Sequence, residues 1–123
     1  MLPRRISTKP KRATRWRSQK HATWIRGFAC CVCGSMTNIE AAHVRNGSGA
    51  GMGQKPDDWR MVPLCAGPHS NADGMLGCHN RQHATGEQTF WQGRDVEALI
   101  AEFIKASPRK AEIALVMRER SNG

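Results

Sequence analysis

The sequence predicts an α+β domain: a short two-stranded core held by cysteines, flanking helices and a basic N-terminal arm. Three observations predict it. Cys30 and Cys33 form a C-x-x-C, with further cysteines far along the chain at Cys65 and Cys78. Two segments of strand length follow the first pair, Ile39 to Val44 and Trp59 to Cys65. Downstream, Val96, Leu99, Ile100, Phe103 and Ile104 recur at i, i+3, i+4, i+7 and i+8, which gives a helix one apolar stripe.

Length and charge bound the possibilities. At 123 residues the chain is one domain, divided as an arm over 1–17 and a folded unit over 18–123. A unit of about 100 residues is only marginally stabilised by burial, so a structural metal would add a needed constraint. Tyrosine is absent and aromatics are few, which sharpens that need. The net charge is +9 and the pI near 10.1. The first carboxylate is Glu40, so the basic residues before it stand unopposed in sequence. Such asymmetry points to a polyanion, nucleic acid before anionic membrane. No apolar run approaches the roughly 18–20 residues of a membrane span, and the start lacks a signal-peptide apolar region. A cytoplasmic protein is expected, with no membrane partner. Five cysteines fit a metal site in a reducing compartment better than a set of disulfides.

Residues 1–17 mix basic side chains with Pro3, Pro10, Ser and Thr, the composition of a solvated arm. Arg4, Arg5, Lys9, Lys11, Arg12, Arg15 and Arg17 are its candidate DNA contacts, with Lys20, Arg45 and Lys55 beyond it. Trp16 is expected to stack on a base. Ser18 to Gly27 has the N-cap and terminal glycine of a short helix, and its His21 is expected at the surface or in packing.

The cysteines come next. Gly34 after Cys33 permits the turn of a zinc knuckle, and Cys30, Cys33, Cys65 and Cys78 complete a four-thiolate set for structural zinc. His69 is an alternative ligand to Cys78, and Cys31 is left over as a small buried side chain. His43 lies at the end of the first strand, ahead of a loop with Gly47, Gly49, Gly51 and Gly53. Lys55-Pro56-Asp57-Asp58 turns the chain into the second strand, where Pro63 suits a sheet edge. A helix from Cys78 to about Gly86 puts His79 and His83 on one face, about 5–6 Å apart at Cβ, so both can grip one metal ion. Helices at about 95–106 and 108–120 close the chain, the second starting with Ser107 as N-cap and Pro108 as its first residue. Its stripe of Ile113, Val116 and Met117 would face the core or a second copy.

The motifs Ala42-His43-Val44-Arg45, Lys55-Pro56-Asp57-Asp58, Val62-Pro63-Leu64-Cys65 and Cys78-His79-Asn80-Arg81-Gln82-His83 stand in a telling order. Over residues 28–91 the chain resembles the ββα-metal (His-Me finger) core of HNH endonucleases, and is most similar to small phage and prophage YbcO-like and Ref-like recombination nucleases. The resemblance implies that His43 is the general base activating water, and that His79 and His83 hold a catalytic divalent cation, Mg2+ or Mn2+. It also implies that the four cysteines hold a closed structural zinc. Three departures stand out. Ala42 occupies a position that commonly carries a metal ligand, and Ala66 to Gly77 are inserted between Cys65 and Cys78. The central motif Asn has no counterpart: Arg60 stands about where it falls, and Asp58 becomes the candidate for a ligand or orienting contact.

The expected function is therefore a metal-dependent HNH endonuclease cutting DNA in a bacterial host cytoplasm, structure-selective or unspecific. Branched DNA such as a Holliday junction ranks above plain duplex, and paired cutting would call for a homodimer. The alternative is a zinc-stabilised DNA-binding module without catalysis. It explains the cysteines and the arm, but leaves three histidines without a task. A redox C-x-x-C is a third reading, and no thioredoxin-like βαβ pattern surrounds it.

Overall fold

The computed structural model describes residues 2–4, 15–50, 55–66 and 77–122. Two antiparallel strands lie at its centre, β1 (Ile39–His43) and β2 (Met61–Cys65), paired with Ile39 opposite Cys65 and His43 opposite Met61. Helix α1 (Gln19–Ile25) precedes them, and a 3-10 turn at Asp58–Arg60 leads into β2. Helices α2 (Cys78–Thr85), α3 (Glu87–Phe90), α4 (Val96–Ala106) and α5 (Lys110–Asn122) complete the chain. This is a mixed α+β molecule with a two-stranded sheet.

β2 is buried along its whole length, because helices cover it and residues before β1 line its second edge. Pro63 pairs with Ala41 in the ladder, and its carbonyl accepts the Cys31 N–H at 3.0 Å. A proline is tolerated there because its missing donor costs no ladder bond. Val44, Val62, Leu64 and Ile100 form the main core with the buried cysteines and Trp91. Each such side chain contributes about 1.5–3 kcal/mol on burial, which is why so short a sheet persists. Trp24, Phe28 and Phe103 add an edge-to-face aromatic group between α1 and α4.

Local sequence fixes the helix ends. Ser18 caps α1, its hydroxyl accepting the His21 N–H at 3.1 Å, and Asp95 caps α4 through the Ala98 N–H at 3.0 Å. α5 begins at Lys110 rather than at Pro108. Ser107 instead closes α4, and its carbonyl and hydroxyl accept the Lys110 and Arg109 N–H groups in the intervening turn. In α5, Ile113 is fully buried and Val116 half-buried, whereas Met117 and Leu115 are exposed.

The boundary of the arm also moves. Trp16, expected to stack on a base, is buried against Trp59 and Ile113, with the two indoles stacked at 5.7 Å. Its amide donates to Asp57 Oδ1 at 2.6 Å and its indole N–H to Glu112 at 3.0 Å. An indole gains more by burying its ring with its N–H satisfied than by waiting in water for a base. Residues 15–17 thus belong to the fold. Arg5, Lys9, Lys11 and Arg12 lie outside the described residues.

Candidate functional site

Two groups of side chains flank the sheet. The first is the cysteine cluster. Gly34 adopts φ +78°, a value glycine takes without strain, and its N–H donates to the Cys30 carbonyl at 2.9 Å. That turn folds Cys33 back beside Cys30. β2 ends in Cys65 and α2 starts with Cys78, so both cysteines arrive from elements anchored in the core.

The sulfurs of Cys30, Cys33, Cys65 and Cys78 all lie within 4.8 Å of one another. Cys33 and Cys65 are 3.5 Å apart, close to the edge of about 3.8 Å that four Zn–S bonds of 2.3 Å would span. None is in a disulfide, and all but Cys33 are buried. Burial opposes ionisation of Cys30, yet backbone amides of Cys33 and Val32 outweigh it and hold its thiol down at about 7. Burial, joined by neighbouring thiols, pushes Cys78 and Cys65 up. A buried set of thiolates cannot stay charged without a cation between them. These four residues suit a structural metal ion, with zinc the natural occupant of a four-sulfur set. Cys31 sits aside against the core, its thiol pushed up to about 12 by burial. His69 lies outside the described residues.

The second group lies on the other side of α2's first turn. His43, His79 and His83 line one groove, together with Arg45 and Lys55. His43 ends β1, and its Nε2 lies 2.9 Å from Asp58 Oδ1. Asp58 is buried at the start of the 3-10 turn and accepts further bonds, from the Ser18 N–H at 2.8 Å and Arg17 at 3.2 Å. Burial alone would raise its carboxyl; the His43 and Ser18 hydrogen bonds and the Arg17 charge hold it below the usual carboxylate range. His79 and His83 face each other one turn apart, Nε2 to Nε2 at 3.2 Å, and His79 Nδ1 lies 2.8 Å from Glu40 Oε1.

Several supports escape a reading of the sequence. Buried Gln82 donates to the His43 carbonyl at 3.3 Å and accepts the Trp91 indole N–H at 2.8 Å, tying α2 to the end of β1. Glu87 accepts the backbone N–H groups of Arg45 and Asn46 at 2.8–3.0 Å, fixing the chain as it leaves β1. Gly86, at φ +86°, makes the turn that presents Glu87. Arg60 is buried and structural: its guanidinium reaches the Val44 and Asn46 carbonyls at 3.1 and 2.8 Å and pairs with Glu97 of α4. Glu40, the first acid in the chain, signals itself only by standing on the strand that ends in His43. Ala42 is fully buried in the main core, so that position offers nothing to the groove.

The basic residues divide by role. Arg15 reaches Asp57 at 3.5 Å and the Gly49 carbonyl at 3.2 Å. Arg17 binds the Pro56 carbonyl, the Lys55 carbonyl and Asp58. Both therefore hold the 55–58 turn, while Arg4, Lys20, Arg45 and Lys55 are exposed. His21 is fully buried, bonded to Ser107 Oγ at 2.8 Å and enclosed by Trp16 and Trp24.

Fold and site together define a small mixed α+β protein with a four-cysteine cluster fit for a metal ion and a histidine-lined groove. Residues 2–94 match the model of the family described as protein of unknown function (DUF968), and the chain belongs to that family. No curated protein and no solved structure matches it. Among the described residues, no helix is long and apolar enough to cross a membrane.

Proposed function

We propose that the protein is a metal-dependent HNH-type endonuclease that hydrolyses DNA phosphodiester bonds. One observation carries this reading: three histidines line a single groove whose other lining residues include Arg45 and Lys55. Imidazoles supply bases and ligands near neutral pH, and the two cations suit an anionic diester.

His43 is the general base. With the proton on Nε2 directed to Asp58 Oδ1, Nδ1 keeps its lone pair and takes a proton from water. The water oxygen then bonds to phosphorus, the bond from phosphorus to the 3′ oxygen breaks, and that oxygen takes a proton from solvent to leave as the 3′ hydroxyl. Asp58 orients the ring and stabilises the imidazolium that forms. Gln82 fixes the same residue from its carbonyl side. Arg45 and Lys55 hold the neighbouring phosphates. His79 and His83 would hold a divalent cation, which neutralises charge on the scissile phosphate and stabilises the leaving oxygen when bound. The four cysteines would hold structural zinc, which would keep α2 against β2.

The substrate is branched or recombination DNA, or duplex without sequence preference, in a phage or prophage context. No stretch of the sequence resembles the base-reading helix of a known DNA-binding class. The place of action is the bacterial cytoplasm, where thiols stay reduced for metal. Paired cuts in a four-way junction would require a homodimer.

The test is cleavage of supercoiled plasmid and of a mobile four-way junction with Mg2+, Mn2+, Ni2+ or EDTA. Wild type and His43→Ala are compared at equal DNA binding. Metal-dependent cutting reduced about 10²–10⁴-fold in the variant is expected. Tight binding without cutting under every ion would replace this reading with a zinc-stabilised DNA-binding module.

A further inference from the structure

The contact between Glu40 and His79 is not explained by holding the fold together. Glu40 is exposed, and its carboxylate reaches across from β1 to an imidazole at the first turn of α2. Exposed pairs of this kind add little to stability. What the contact does determine is which nitrogen of His79 carries its proton.

A carboxylate at 2.8 Å accepts a hydrogen bond, so it favours the tautomer with the proton on Nδ1. The lone pair is then on Nε2. That atom faces His83 Nε2 at 3.2 Å. Two imidazole nitrogens on one ion at about 2.1 Å are separated by about 3.0 Å at a right angle and about 3.4 Å in a tetrahedron. The observed separation lies between these values, so the pair is spaced as two neighbouring ligands of a single ion. The other exposed positions around it belong to the groove shared with His43, which leaves room for water and a phosphate oxygen.

Resting on the nuclease reading for its catalytic consequence, but not for its chemistry, we infer that Glu40 is a positioning residue. It fixes the His79 tautomer and so makes His79 and His83 a nitrogen site for a borderline transition ion such as Ni2+, Co2+ or Zn2+, rather than for Mg2+. Neutral imidazole suits those ions, whereas Mg2+ favours carboxylates, carbonyls and water and sheds its water reluctantly. The distinction bears on this chain because Ala42 is buried, and Asp58 is occupied by His43, Arg17 and Ser18. Among the described residues, the groove's lining holds no carboxylate to favour the harder ion, and the nearby Glu40 is engaged by His79 Nδ1.

The experiment uses the full chain loaded with one equivalent of zinc. Calorimetric titration with Ni2+ and with Mg2+ reads the second site. Long-range 1H–15N correlation spectra at pH 8 read the His79 tautomer. Wild type is expected to bind one further Ni2+ per chain with no comparable Mg2+ uptake, and to show His79 protonated on Nδ1. Glu40→Gln should weaken Ni2+ binding about 10–100-fold and shift His79 towards the Nε2–H tautomer, with an unchanged melting temperature. Glu40→Asp should restore part of the affinity, and His83→Ala should remove the site. Equal Ni2+ affinity in wild type and Glu40→Gln would overturn the inference, as would a His79 already protonated on Nε2 or on both nitrogens. Nickel binding with the expected tautomer but no DNA cleavage would sink the nuclease reading alone. Cleavage by a protein with no nitrogen-bound ion would sink this inference alone.

Discussion

Asp58 accepts from His43, Arg17 and the Ser18 amide at once, and Asp57 beside it takes Trp16, Arg15 and Arg120. Burial raises both carboxyls, but these partners outweigh it and leave them below the ordinary range. Their stabilising contribution is therefore complete above the unfolded value of about 3.9 and is lost as pH falls below it. His21 acts higher on the scale. Burial lowers its pKa, against a smaller upward pull from Asp58, so the unfolded chain takes up its proton first as pH falls. Stability from neutral His21 is present above about 6.5 and declines below it, down to the folded value. The melting temperature should thus fall in two limbs, one starting near pH 6.5 and one near pH 4. Calorimetry of wild type against His21→Gln checks this, since the variant should lack the upper limb. Identical profiles from pH 7 to 5 would remove His21 from the account.

At the scale of elements, α2 is where the two groups meet. Cys78 belongs to the cluster and His79 to the groove, so a metal ion held by the first would position the next. Zinc binding of about 10–16 kcal/mol is comparable to the whole stability of a small domain, about 5–15 kcal/mol. Cys33→Ser is accordingly expected to lose both zinc and cooperative folding, although Cys33 is itself exposed. Circular dichroism and the zinc content of the purified chain read the outcome; one zinc retained with an unchanged melting temperature would remove the four-cysteine assignment. The same scale explains why α5 starts late. Ser107 serves α4 and the turn together, and a serine followed by proline signals a helix start without saying which helix owns the serine.

Across the whole molecule, charge bears on the proposed binding of DNA. A net charge of +9 predicts binding that weakens steeply with salt. Arg45→Ala and Lys55→Ala should each lower the slope of log affinity against log salt by about 1, without changing sequence preference. Fluorescence anisotropy over a salt series measures it, and slopes equal to wild type would move the DNA path away from the groove. Arg15→Ala and Arg17→Ala should act differently, through stability, because both hold the 55–58 turn.

How far the sequence went follows from how local each signal is. The α+β class, the two strands, the helix starts at Ser18 and Asp95 and the α4 stripe rest on neighbours within a few residues, and periodicity and caps express them directly. The four cysteines were legible as a set because thiols at knuckle spacing have few other uses in a reduced chain, and their sulfurs do converge. Other features depend on contacts across tens of residues, which no local pattern encodes. Tertiary packing alone decided that Trp16 leaves the arm for the Trp59–Ile113 core, and that Arg60 serves the chain path rather than the groove. It alone brought Asp58 to His43, Gln82 to the His43 carbonyl and Glu40 to His79. The sequence by itself determined which chemical groups the protein carries. Their pairing was decided by burial, because only the packed core sets which charged and polar atoms must find one another.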